Sequence, residues 1–283
     1  MKNNQVITIV GAGPAGVACA VAIKHLGIEP LLIEKHKIGG LIRNANLIEN
    51  YSLLEQNISG KTLAKKLEKK VKDRNIKTLF QNVKNIKPGN QILVKTNKKT
   101  LLTNYLVIAT GTKARVLPKS VKIDKKANKN IYYEIADMPK QKNKTIAIIG
   151  AGDAGYDYAL NLAKTNKILI LNQNAKPKCN TTLLNRVIAN QNITQVKNVK
   201  IKSIALAKKG IQVNTNKEPI LADTIIVAIG REPNLPTTSK AILKNKNIFV
   251  IGDTVNDIYR QISITSADGV KTAMKIFKNY EQS

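Results

Sequence analysis

Val6-Ile-Thr-Ile-Val10 runs straight into Gly11-Ala12-Gly13-Pro14-Ala15-Gly16, and a helical stretch follows from Val17 to Leu26. A short apolar, β-branched run reads as a buried strand, so the order is strand, glycine turn, helix. Gly27 ends the helix, and Pro30-Leu-Leu-Ile-Glu34 supplies a second strand that closes on a carboxylate. The three glycines answer three separate needs: a tight turn, close approach of a pyrophosphate to the backbone, and close packing of helix on strand. A pyrophosphate at the amino end of the helix, near Pro14, meets free N–H groups and a favourable dipole of about 0.3–1 kcal/mol. Glu34 lies 23 positions after Gly11, where a carboxylate accepts the hydroxyls of a ribose.

The same pattern starts again at Lys144-Thr-Ile-Ala-Ile-Ile149, which leads into Gly150-Ala151-Gly152-Asp153-Ala154-Gly155 and a helix through Ala163. Lys167 to Leu171 is its second strand, and Thr224 to Ile229, ending at Gly230, its last long one. One glycine motif is weak evidence, whereas two in the right strand and helix context make dinucleotide binding the reading of choice. Between and after the motifs, strands are expected near Lys77 to Phe80, Val83 to Ile86, Ile92 to Lys95, Leu106 to Gly111 and Asn247 to Asp253. A closing helix is expected from Ser263 to Tyr280.

Composition narrows the class. The chain has 283 residues, of which 43% are apolar and spread along its length, so a globule of two domains is expected. No run of eighteen apolar residues occurs and the first residues do not form a signal peptide, so no membrane association and a cytoplasmic location are expected. The net charge of +29 favours acidic partners. Lys61 to Lys72 places Leu63, Leu67 and Val71 on one helical stripe and lysines elsewhere, the pattern of a solvated helix face. Aromatic residues are only 4% and do not interleave with the basic runs, which argues against specific nucleic-acid binding. The two cysteines, Cys19 and Cys179, are far apart and form neither a disulfide framework nor a metal motif, and no metal site is expected.

Taken together, Gly11 to Gly16, Ala109-Thr110-Gly111, the second glycine motif, Gly230-Arg-Glu-Pro-Asn234 and Gly252-Asp253 resemble the thioredoxin-reductase-like branch of the pyridine nucleotide-disulfide oxidoreductases. Ile258-Tyr-Arg-Gln261 and Ala267-Asp-Gly269 resemble that branch's flavin-binding segment, and Glu49-Asn50-Tyr51, after Gly39-Gly40-Leu41, its stretch near the isoalloxazine. The resemblance implies an α/β protein with two dinucleotide-binding, Rossmann-like, three-layer domains. An NAD(P) domain, 118–236, is inserted into an FAD domain formed by 1–117 and 237–283, with Lys113 to Pro118 and Arg231 to Pro236 as linkers. FAD is expected at Gly11, Gly13, Pro14, Ala15, Gly16 and Glu34, at Gly40, Leu41, Asn50 and Val83, at Ala109, Thr110 and Gly111, and at Gly252, Asp253, Arg260 and Gln261. The nicotinamide dinucleotide is expected at Gly150, Gly152, Asp153, Ala154 and Gly155, at Asn172, Gln173 and Lys176, and at Gly230.

Enzymes of this kind pass hydride from nicotinamide C4 to flavin N5, and the thioredoxin reductases then reduce a Cys-x-x-Cys pair in the inserted domain. Here the corresponding segment, Ile131 to Asn143, contains no cysteine, as in the similar thioredoxin-reductase-like ferredoxin-NADP reductases, whose flavin-covering C-terminal extension is not expected here. Relay through an internal disulfide is therefore excluded, and Cys19 and Cys179 read as incidental thiols. No side chain is expected to be catalytic, because the flavin supplies the chemistry; His25 and His36 read as structural or exposed. Relatives that prefer NADPH carry histidine and arginines after the second strand, and NADH-specific ones an acid. Asn172-Gln173-Asn174 match neither, although Lys176 and Lys178 can neutralise a phosphate, so NADPH and NADH both stay open. The expected function is FAD-dependent NAD(P)H oxidation with an external acceptor, either a small molecule or an acidic ferredoxin- or flavodoxin-like carrier, in a homodimer. Reduction of disulfides with an external thiol, and a non-catalytic FAD-binding module, are the alternatives.

Overall fold

The structure, a computed structural model, describes residues 5–51, 58–239, 242 and 244–282, so Met1 to Asn4, where the leader reading falls, lie outside the described residues. The chain forms two compact units, one of Met1–Arg43, Ile48–Lys113 and Pro233–Ser283, the other of Asn44–Leu47 and Ala114–Glu232. Besides the brief excursion at Asn44–Leu47, the chain crosses at two three-residue strands, Thr112–Ala114 and Arg231–Pro233, where the sequence suggests plain linkers. Proline ends the second of these strands, a position at which its missing N–H does not matter.

In the first unit a parallel sheet runs in the order Ile248–Val250, Tyr105–Ile108, Ile7–Val10, Pro30–Glu34, Thr78–Phe80. Ile7–Val10 and Tyr105–Ile108 are buried at every residue, as strands covered on both faces must be. Alternation sends Ile7, Ile9, Tyr105 and Val107 into a core with the helices, and Val10, Leu106 and Ile108 into a second core with the antiparallel strands Val83–Lys87 and Ile92–Thr96. Thr100–Thr103 extends that layer antiparallel at one edge, and Thr237–Thr238 pairs parallel with Val83–Lys87 at the other. Each fully buried isoleucine or leucine contributes about 1.5–3 kcal/mol.

The first helix is Pro14–His25, starting earlier than its apolar pattern suggests because proline is well suited to a first turn. Helix Gly60–Asp73 is capped by Ser59, whose hydroxyl accepts from Thr62 N at 3.1 Å. Its Leu63 and Val71 are buried and Leu67 packs on the same core, so the lysines lie on the exposed face. The last helix, Ile262–Glu281, crosses the first so closely that a Cβ on Gly269 would stand 2.3 Å from Ala15 O and 2.8 Å from Cys19 N.

The second unit repeats the plan, with a parallel sheet in the order Ile131–Tyr132, Thr224–Val227, Thr145–Ile149, Lys167–Leu171, Ile193–Val196. Helices Asp153–Leu162 and Thr181–Ile188 cover one face through Tyr156, Ala159 and Val187 against Ile146, Ile148 and Ile170. The strands Ile201–Leu206, Ile211–Thr215 and Ile220–Ala222 cover the other through Ile204, Val213 and Ala222. Both units are thus three-layer α/β folds, as expected. Among the described residues no helix is long and apolar enough to cross a membrane.

The helix crossing is directly testable. Gly269→Ala adds one methyl group against main-chain atoms that cannot swing aside, and should lower unfolding free energy by about 1–3 kcal/mol in urea denaturation. An unchanged midpoint would show that the two helices do not meet at this glycine.

Candidate functional site

In each unit the sequence-selected residues gather at the carboxyl ends of the parallel strands, where open α/β sheets bind ligands. In the first unit Gly11 follows Ile7–Val10, Glu34 closes Pro30–Glu34, Ala109 to Gly111 follow Tyr105–Ile108, and Gly252 and Asp253 follow Ile248–Val250. The chain leaves Ile7–Val10 toward one side of the sheet and later returns on the other as Tyr105–Ile108. Gly11 and Ala109 flank that reversal. A Cβ on Gly11, at φ +103°, would lie 2.3 Å from Ala109 O, and one on Gly16 would lie 1.8 Å from Gly11 O. At Gly13, by contrast, a Cβ would meet nothing within 4 Å. The first and third glycines are therefore demanded by the fold itself, whereas the second leaves open space at the start of helix Pro14–His25, where a pyrophosphate fits.

Glu34 is 7% exposed and its carboxylate is held by main-chain donors: Ala12 N at 2.8 Å on Oε2 and His36 N at 2.9 Å on Oε1. Each oxygen keeps lone-pair capacity for a ribose hydroxyl. Asn50 and Gln261, 211 positions apart, meet through Asn50 Nδ2 donating to Gln261 Oε1 at 2.6 Å. Gly40 opens the short helix Gly40–Asn44, which contains Leu41, and a Cβ on Gly40 would stand 3.4 Å from Gly13 Cα. Pro14 and Ala15 form the first turn of their helix, with Ala15 buried. The Val83 side chain packs in the core with Val10 and Ile33, and its main chain pairs with Thr96 in the antiparallel sheet.

Two further groups carry the fit to a flavin nucleotide. Thr110 Oγ1 and Arg260 Nε are buried without a hydrogen-bond partner among the described residues, and both lie in loops beyond the carboxyl ends of strands. Leaving such groups unmet costs about 1–3 kcal/mol apiece, which a ligand that bonds to them recovers. Thr8 and Asn85 also hold unmet buried oxygens, but they lie within strands. Sequence reading missed the scaffold around these loops. Gly111 O accepts from Asn234 N at 2.9 Å and from Thr254 Oγ1 at 3.2 Å, and Asp268 accepts from Gly252 N at 3.3 Å and Asn256 Nδ2 at 2.7 Å. Only the register of distant segments reveals them.

The second unit builds the same turn. A Cβ on Gly150, at φ +123°, would lie 2.2 Å from Ala228 O, and one on Gly155 would lie 2.4 Å from Gly150 O, while Gly152 has only Lys178 O near, at 3.7 Å. Asp153 and Ala154 open the helix and are exposed, and Asp153 Oδ1 accepts from Asn180 N at 2.8 Å. Asn172 is buried at the end of its strand, Gln173 and Lys176 are exposed beyond it, and Gly230 O accepts from Arg115 N at 3.0 Å.

The cysteine-free segment is tied down by polar contacts. The Glu134 carboxylate accepts from Arg231 Nη2 at 2.7 Å, Asn44 Nδ2 at 2.7 Å and Tyr158 Oη at 3.2 Å. Burial, then the neighbouring Glu134 charge, pushes the Tyr158 phenol well above its usual range, so it stays a donor. Cys19 is buried in the first helix, and burial raises its thiol to about 12. Cys179 is also raised, first by burial and then by the Asp153 charge. Neither is a ready thiolate at neutral pH.

Residues 5–269 match the sequence pattern of a family described as pyridine nucleotide-disulphide oxidoreductase. Thioredoxin reductase of Ureaplasma parvum is 30% identical, over 95% of this chain and 94% of that protein. NADH dehydrogenase of Ferdinandcohnia aciditolerans is 26% identical, over 96% of this chain and 56% of that protein. Among solved structures, thioredoxin reductase of Lactococcus lactis shares the fold with a TM-score of 0.86 and 23% identity, covering 99% of this chain and 100% of that one.

If Thr110 and Arg260 wait for a flavin nucleotide, Thr110→Val should weaken FAD binding about fivefold, one neutral hydrogen bond, and Arg260→Met tenfold or more, one charged bond. Fluorescence titration of flavin-stripped protein measures both. Unchanged affinity in both variants would remove these residues from the site.

Proposed function

The chain belongs to the pyridine nucleotide-disulphide oxidoreductase family, as an NAD(P)H-dependent flavoprotein oxidoreductase that uses FAD, and on that premise we propose that it passes two electrons to an acceptor outside itself. The observation that carries this reading is the segment Ile131 to Asn143, where a carboxylate held by Arg231 and Tyr158 stands and no cysteine is present. A flavin held there would supply the two-electron chemistry that links the nicotinamide to the acceptor. The first glycine turn, Glu34, Thr110 and Arg260 hold FAD; the second turn holds the nicotinamide dinucleotide. The protein's part is alignment and exclusion of side reactions, with no thiol in the electron path.

The acceptor class that the surface favours is an acidic electron carrier. Helix Gly60–Asp73 and its cap expose Lys61, Lys65, Lys66, Lys69, Lys70, Lys72 and Arg74, against Glu68 and Asp73. Such a field raises encounter rates with an anionic partner by about 10- to 1000-fold at low salt.

Anaerobic reduction of the flavin-loaded protein separates this reading from thiol relay by electron count. We expect one equivalent of NADH or NADPH to bleach the flavin fully, with no further uptake from dithionite, and reoxidation by an acidic ferredoxin or flavodoxin to slow as salt rises. Uptake of a second electron pair would establish a hidden redox disulfide, and no bleaching by either nucleotide would leave a binding module without turnover.

A further inference from the structure

Asn172 occupies in the second unit the place that Glu34 occupies in the first. Val10 pairs with Ile33 just before Gly11 and Glu34, and Ile149 pairs with Leu171 just before Gly150 and Asn172. Gly11 N donates to Ile33 O at 2.8 Å and Gly150 N to Leu171 O at 3.1 Å, so the two turns are in the same register. Both side chains also shape the same local turn: Glu34 Oε1 accepts from His36 N at 2.9 Å and Asn172 Oδ1 from Asn174 N at 3.0 Å.

There the likeness ends. Glu34 keeps a second oxygen, at the glycine turn, and a negative charge. Asn172 is shorter and neutral, its oxygen is used by the turn, and its Nδ2 has no hydrogen-bond partner among the described residues. An acid at this position suits a ribose with a free 2′-hydroxyl, whereas a 2′-phosphate needs positive charge and no acid. From Tyr158 to Lys217 the sequence has no Asp or Glu and eleven Lys or Arg. Lys176 and Lys178 are exposed, and the Lys178 main chain is fixed at the glycine turn by its N–H donating to Ala151 O at 2.9 Å. Asp153, the one acid at that turn, is engaged by Asn180 N at 2.8 Å and Asn180 Nδ2 at 3.2 Å.

We infer that Asn172, Lys176 and Lys178 receive a ribose 2′-phosphate, so that the second turn takes NADPH in preference to NADH. This rests on the reading of that turn as the nicotinamide site. Lysines act here as flexible point charges, so the preference is sensitive to salt.

Binding of two fragments, 2′,5′-ADP and 5′-AMP, to the flavin-loaded protein by titration calorimetry tests the inference without turnover. 2′,5′-ADP should bind about tenfold or more tightly than 5′-AMP at low salt, the scale of one charge-assisted contact, with a smaller ratio at high salt. Asn172→Glu should abolish or reverse the ratio. Lys176→Ala with Lys178→Ala, both on exposed positions, should reduce it by weakening 2′,5′-ADP more than 5′-AMP. Equal affinities, or tighter 5′-AMP, in the unaltered protein would overturn the inference and leave the nucleotide site standing. Binding of neither fragment would overturn the nucleotide reading of the turn and the inference with it.

Discussion

Both halves of the molecule depend on one steric constraint: a strand must turn into a helix while the next strand of the sheet passes within contact of the turn. At Gly11 the neighbouring carbonyl is that of Ala109, and at Gly150 it is that of Ala228, each within 2.3 Å of where a Cβ would stand. No other residue fits, and the left-handed φ that the turn demands excludes side chains a second time. Because the turn is so tight, the helix starts directly over the end of the sheet and its first N–H groups point into the space beside the middle glycine. Structural necessity at the outer glycines and openness at the middle one create an anion site together.

The rest of the chemistry follows from what surrounds these turns. The first unit supplies a buried carboxylate, a buried hydroxyl and a buried guanidinium nitrogen, three groups with different hydrogen-bonding character in the segments that follow its strands. The second unit supplies a neutral amide, an acid-free stretch and lysines. In the segment Ile131 to Asn143, which has no cysteine, Glu134 is fixed by Arg231 and Tyr158, and the thiols of Cys19 and Cys179 are shifted away from reactivity. Dinucleotide machinery and thiol machinery are physically separable, and on the proposed reading this chain works with the former.

Much of this was legible in the sequence because a strand–glycine–helix unit is local: its strand period, its glycines and its closing acid all fall between Val6 and Glu34. The stripe of Leu63, Leu67 and Val71 was legible for the same reason. Arg260 and Gln261 were reached only by resemblance, since nothing local ties Gln261 to Asn50. The clasp of Glu134 by Arg231, 97 positions away, had no sequence signal at all. The equivalence of Asn172 with Glu34, by contrast, was foreshadowed by the repeated strand–glycine–helix pattern and is fixed by strand register. The prolines near Arg231 to Pro236 suggested a loop, and the short strand there shows that proline content marks strand ends as well.

On the proposed reading the two turns serve two different dinucleotides. Valine at each middle glycine separates the two, because a Cβ there meets the fold only at ordinary contact or not at all and stands where the ligand is expected. Bound flavin, read from absorbance after desalting, and nucleotide binding, read by calorimetry, are measured on both variants. Gly13→Val should lose FAD. Gly152→Val should keep FAD at one per chain and lose the nicotinamide nucleotide. Retention of FAD by Gly13→Val, or its loss from Gly152→Val with the fold intact, would contradict the assignment.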